Sequence, residues 1–121
     1  MFRHALAAAL VAVAVFAVPV SAKAGASITA PEDVNFGETF DVVAWEGTNG
    51  PDHDYWAKAE CYQGTLVYAQ FIHIELGYTT FTAGPTPSWT GGAAECVVLL
   101  GYWNQRGTFS DVAVDEFSVA P

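Results

Sequence analysis

The sequence predicts an all-β domain behind an export leader, and three observations carry that prediction. From Ser27 onward no window sustains apolar residues at helical spacing. Short runs of alternating polarity are instead separated by clusters of Gly, Pro, Asn and Asp. Upstream, Ala5 to Val18 is continuously apolar, yet it falls short of the roughly 20 residues that span hydrocarbon.

That upstream run has the layout of a signal peptide. Met1-Phe2-Arg3-His4 supplies the positive start, Pro19 ends the apolar stretch, and Ala22-Lys23-Ala24 puts small residues at a cleavage point. The expected organisation is a signal peptide over 1–24 and one domain over 25–121, with cleavage after Ala24 or, in a competing register, after Ala22. No cysteine at that point invites a lipid, and no second apolar stretch follows, so the product is expected to be secreted and free of the membrane. With 121 residues and 52% hydrophobic side chains, the chain suffices for one core and not two.

Charge narrows the partners. The whole chain carries 4 basic against 13 acidic side chains, a formal −9. Loss of Arg3 and Lys23 with the leader leaves Lys58 and Arg106 against all thirteen acids, or −11. A surface this acidic repels nucleic acid and anionic membranes, both of which need a positive patch. It favours solubility, and it could attract cations or a basic partner.

The strands follow in order. Ser27 to Ala30 opens the domain. Asn35-Phe36-Gly37-Glu38 turns into Phe40 to Trp45, which alternates. Glu46 to Asp54 reads as a loop around Asn49-Gly50-Pro51-Asp52. Tyr55 to Tyr62 is the next strand, and Gln63-Gly64 turns it into Thr65 to Ile74. Leu76-Gly77 precedes Tyr78 to Thr82, and Ala83 to Gly92 reads as loop. Ala94 to Trp103 is the strongest strand, Asn104 to Gly107 turns it, and Thr108 to Val119 returns. Seven short strands without helices mean a sandwich or a barrel. Two cysteines in separate strands of an exported chain are expected to form one disulfide, Cys61–Cys96.

Two stretches resemble an immunoglobulin-like or fibronectin-type-III-like domain. Ile28-Thr29-Ala30-Pro31 followed by Val34-Asn35-Phe36-Gly37-Glu38-Thr39-Phe40-Asp41-Val42 looks like the passage from strand A to strand B. Trp89-Thr90-Gly91-Gly92-Ala93-Ala94-Glu95-Cys96-Val97-Val98 looks like the E–F corner entering strand F. In plan the chain is similar to small secreted Ig-like proteins encoded by bacteria and their phages. The resemblance implies a single Ig-like antiparallel β-sandwich of about seven strands, with the disulfide joining strands C and F of one sheet. Ala44 stands where a strand-B cysteine would be, and Ala94 where a tyrosine usually precedes the strand-F cysteine. No antibody-type function therefore follows.

Several residues are candidates for chemistry or contact. Asp52, His53 and Asp54 form a polar cluster. Asp52 and Asp54 could offer carboxylates to calcium, and His53 an imidazole to zinc. Calcium takes about six to eight oxygens, so a solvated turn is the expectation, without metal or cofactor. His73 is expected to face solvent or a neighbouring acid, on the strand face of Phe71 and Glu75. The carboxylate pairs Asp52/Asp54 and Asp115/Glu116 lack the facing cleft, about 5 to 10 Å across, that glycoside hydrolysis needs. No nucleophile elbow, phosphate loop or His-Glu-x-x-His occurs, so no enzyme is expected.

Pleating sorts the aromatics. If Cys61 and Cys96 point inward, so do Ala57, Ala59, Val98 and Leu100. Trp56, Lys58, Glu60 and Tyr62 then face outward beside Val97 and Leu99, an apolar patch suited to a partner. Inverted polarity or a covering loop would remove it. A second candidate is the tip where the B–C and F–G loops emerge together, holding Asp52, His53 and Asp54 beside Trp103 and Arg106, with an ion pair from Arg106 to the acids opposite. The expected function is non-enzymatic binding or adhesion toward an extracellular protein or glycan, by a monomer or weak homodimer. Carbohydrate binding on exposed aromatics and extracellular inhibition through a presented loop are the alternatives.

Overall fold

The computed structural model describes residues 25–46, 54–75 and 77–121. The signal peptide expected over 1–24 lies outside the described residues, as do Asp52 and His53. Eight strands follow one another: β1 (Ser27–Thr29), β2 (Asp33–Asn35), β3 (Thr39–Trp45), β4 (Trp56–Tyr62), β5 (Leu66–His73), β6 (Tyr78–Thr82), β7 (Ala94–Trp103) and β8 (Phe109–Ala120). They form two sheets, one of three strands in the order β1-β3-β6 and one of five in the order β2-β8-β7-β4-β5. The three-stranded sheet, centred on β3, packs against the five-stranded sheet, whose β4, β7 and β8 stand as strands C, F and G, which is the strand order of an Ig-like sandwich.

The seven expected strands are all present, with ends that differ by a residue or two. The eighth, β2, pairs in parallel with the end of β8, from Asp33 opposite Ser118 to Asn35 opposite Ala120. It is the only parallel pairing among the described strands, and the sequence reading placed no strand there. Asp115 on β8 reinforces the crossing, its carboxylate accepting the Ala30 amide at 2.9 Å. Asp115 thereby holds the chain where it passes from one sheet to the other.

Alternation builds the core. On β3 the buried residues Phe40, Val42 and Ala44 alternate with exposed Asp41, Val43 and Trp45. On β4 Ala57, Ala59 and Cys61 point inward, and on β7 Cys96, Val98 and Leu100 do the same. Phe40 stacks on Phe81 at 5.9 Å and tilts against Phe117 at 5.0 Å, joining the two sheets. Such ring pairs add about 0.5–1.5 kcal/mol each beyond their buried area.

Trp89 supplies bulk from outside the strands. It is 0% exposed although it lies in the connection between β6 and β7. Its rings meet Phe36 at 5.1 Å and Tyr68 at 5.9 Å, both edge-on. Its indole N–H donates to the Gly92 carbonyl at 3.1 Å, so burial leaves no donor unpaired. Burial pushes the Tyr68 hydroxyl up to about 12.

Cys61 and Cys96 are directly opposite on β4 and β7 and form a disulfide, with Cα atoms 4.1 Å apart. That spacing suits a non-hydrogen-bonded pair of an antiparallel ladder, about 4.5 Å. The bridge lies on the inner face of the five-stranded sheet.

Candidate functional site

With Cys61 and Cys96 buried, the opposite parity of β4 and β7 lines the outer face of the five-stranded sheet. Register arranges this face in rows that run from β5 across β4 and β7 to β8. One row is His73, Trp56, Gly101 and Asp111; the next is Phe71, Lys58, Leu99 and Val114; the third is Ala69, Glu60, Val97 and Glu116. Tyr62 follows beside Glu95. All four outward β4 residues named from the sequence, and both Val97 and Leu99, lie on this face, half-buried except for exposed Tyr62.

An aromatic cluster caps one end. Phe71 of β5, Trp103 of β7 and Phe109 of β8 meet pairwise at 5.0 to 5.2 Å, with their planes tilted by 42° to 71°. Gly101 makes room for them. A Cβ at that position would press into the Ser110 carbonyl oxygen and lie 2.8 Å from Cε2 of Phe109, so the close approach of the β8 backbone, with this ring beside it, requires glycine. The Lys58 ammonium sits over Phe71 at 5.4 Å and over Phe109 at 6.0 Å. It also pairs with Glu60 at 2.9 Å.

The polar groups continue along β4. Tyr62 donates its hydroxyl to Glu60 at 3.1 Å, so Lys58, Glu60 and Tyr62 form a chain at every second residue. Desolvation, then the charge of Glu60 and the hydrogen bond to it, raise the Tyr62 hydroxyl above its ordinary value. Asp111 is also raised, chiefly by burial, with Glu60 adding and Lys58 opposing.

At the corner nearest the β4 start, His73 joins two carboxylates. Nε2 meets Asp54 at 2.5 Å and Nδ1 meets Glu75 at 3.4 Å, while Trp56 packs edge-on against the imidazole at 5.2 Å. The hydrogen bond to Asp54 is the largest cause that raises His73, and desolvation opposes it.

The sequence-derived tip divides. Asp54 is engaged by His73, and Trp103 belongs to the aromatic cluster. Arg106 sits in the β7–β8 turn, where Asn104 Oδ1 accepts the amides of Arg106 and Thr108 at 2.9 and 3.1 Å. Arg106 makes no ion pair among the described residues. Phe109, Gly101 and Asp111 complete the face and were not singled out from the sequence. A glycine in mid-strand beside an aromatic hairpin was the available signal.

Comparisons with known proteins add little. No protein-family profile matches the chain, and no curated protein matches it. Among solved structures the chain is similar to the CARDB domain of a Pyrococcus furiosus protein, solved in complex with di-metal ions. Identity is 17%, the match covers 78% of this chain and 85% of that one, and the TM-score is 0.29.

Proposed function

We propose that the chain is a secreted, non-enzymatic Ig-like binding module, released by cleavage after Ala22 or Ala24. In this reading it resembles the small Ig-like proteins of bacteria and phages, and it meets an extracellular protein through the outer face of its five-stranded sheet. The observation that carries the reading is the Phe71–Trp103–Phe109 cluster. Trp103 stays 47% exposed at its centre, with Lys58, Glu60 and Asp111 alongside. An exposed aromatic held rigid by its neighbours and ringed by charge has the anatomy of a contact hot spot.

A glycan is the second reading, and the ring geometry disfavours it. Sugars stack on a flat platform, whereas these three rings are mutually tilted by 42° to 71°. An array of extracellular proteins and glycans, probed with the wild type, Trp103→Ala and Leu99→Lys, tests both readings. Trp45→Ala, on the opposite sheet, is the control. Protein signals that both outer-face variants abolish and the control retains are expected. Equal signal from the wild type and Trp103→Ala would remove the face from any role, and glycan signals alone would replace the first reading with the second.

A further inference from the structure

The edges of the two sheets differ. In the three-stranded sheet β1 has 3 residues and β6 has 5, and in the five-stranded sheet β2 has 3. β2 also begins on Asp33, behind Pro31 and Glu32, which are common means of blunting an edge. The remaining edge, β5, has 8 residues, Leu-Val-Tyr-Ala-Gln-Phe-Ile-His, without Asp, Glu, Lys, Arg, Pro or Gly. A long uncharged edge strand is a template for another strand.

Hydrogen bonding identifies which part of β5 is open. The Ile74 amide donates to the Tyr55 carbonyl, so residues of even number on β5 bond to β4. Residues of odd number turn their N–H and C=O outward. At Val67 the outward carbonyl is taken by the Thr86 hydroxyl at 2.7 Å. From Ala69 through Phe71 to His73, no strand pairs on that side among the described residues.

We propose that this edge pairs with the same edge of a second copy, antiparallel about a two-fold axis at Phe71. Phe71 then lies opposite its own counterpart, and Ala69 opposite His73 of the other molecule. Three narrow pairs exchange six backbone hydrogen bonds, and the two five-stranded sheets become one continuous sheet. The contact is self-complementary, as a two-fold interface must be. The strand's own two-fold image matches it group for group, and because β5 carries no Asp, Glu, Lys or Arg, two domains whose net charge of −11 makes them repel over most of their surface can still approach at this edge. The pairing also brings both Phe71 rings together on the outer face, each backed by its own Trp103 and Phe109.

Sedimentation equilibrium on the exported, oxidised product of the full chain tests this. A reversible monomer–dimer equilibrium is expected, strengthened by added salt because screening weakens the net repulsion. In amide hydrogen exchange, protection of Ala69, Phe71 and His73 should rise with protein concentration, while that of Gln70 and Ile72 should not change. Ala69→Pro removes an outward N–H that an edge position can spare, and it should weaken dimerisation at least about tenfold. Gln70→Glu leaves every backbone donor in place, keeps an acceptor for the Tyr68 hydroxyl and adds a negative charge beside the axis on each copy, so it should act in the same direction, which keeps the test valid if the proline variant misfolds. A chain that stays monomeric at all concentrations overturns the proposal. So does a dimer that survives both substitutions, or odd-residue protection that dilution leaves unchanged.

Discussion

Trp103 on the five-stranded sheet is 47% exposed and Trp45 on the three-stranded sheet is 55% exposed, yet their surroundings differ. Trp103 packs against two rings at 5.0 and 5.2 Å, and the cluster is bordered by Lys58. Trp45 ends β3 opposite Ser27, and its face offers Val43, Tyr78 and threonines, without a ring partner for Trp45 among the described residues. Width explains the contrast. In the five-stranded sheet Lys58 lies between Phe71 and Leu99, Val97 between Glu60 and Glu116, and Leu99 between Lys58 and Val114, so neighbours cover one another and settle into fixed positions. In the three-stranded sheet the middle strand is flanked mostly by Ser and Thr, and Val43, Trp45 and Tyr78 stand largely in water. Equal exposure can therefore conceal unequal preorganisation, and preorganisation is what lowers the entropic cost of binding.

The most forceful way to break this comparison is to remove the covalent tie, which only the wide sheet has. The Cys61–Cys96 bridge closes a loop with a sequence separation of 35. On the chain-entropy model its loss costs about 4 kcal/mol. Cys61→Ala combined with Cys96→Ala should lower the unfolding free energy by roughly that amount in urea titration. Amide exchange should accelerate more in β4 and β7 than in β3. If β3 and β4 loosen equally, the two sheets unfold as a single unit and the contrast between their faces does not extend to stability.

A finer probe is the pair of tryptophans itself. Trp103→Ala removes two ring contacts, each worth about 0.5–1.5 kcal/mol, so a loss of about 1–3 kcal/mol is expected. Trp45→Ala should stay within about 0.5 kcal/mol, as surface changes without packed partners do. Urea midpoints of the two variants decide the matter. Equal losses would show that Trp45 is held as firmly as Trp103, and the argument from sheet width would fail.

Much of the wide sheet was legible because its signals are local. The alternation of Ala57, Ala59 and Cys61 against Trp56, Lys58 and Glu60 is a period of two, and the buried cysteines fix which side is inward. The Asn104–Gly107 turn likewise places Trp103 opposite Phe109. The rest depended on distant chain. β2 is three residues whose only strand partner among the described residues is the far end of β8, so no nearby pattern marks it. Trp89 looked like part of a polar loop, and its burial follows from Phe36 and Tyr68 closing over it from other segments. Phe71 reaches Trp103 and Phe109 only once β5, β4 and β7 are in register and Gly101 leaves space. His73 was expected to meet solvent or an acid. It meets Asp54 and Glu75, but Asp54 itself was read as part of the loop tip, a role that requires knowing where the β4 start lies relative to β5.

The smallest expected effect belongs to that histidine corner, which anchors the start of β4 to the edge strand on the wide face alone. Asp54 accepting from the ring raises His73 above its ordinary 6.5, with Glu75 adding and desolvation opposing. The folded state therefore holds the proton more tightly than the unfolded chain. The stabilisation is complete below pH 6.5, provided the carboxylates remain ionised, and it disappears as pH rises through the raised folded value. His73→Gln keeps a hydrogen-bonding side chain but cannot carry the charge. Melting temperatures of the wild type and this variant should differ most near about pH 5.5, above the ordinary carboxylate range, and should converge well above pH 6.5. Salt should shrink the acid-side difference, because the group is exposed and screening acts on it directly. A difference that stays constant across this range would assign His73 a packing role against Trp56, at 5.2 Å, and would leave the ion pairs energetically silent.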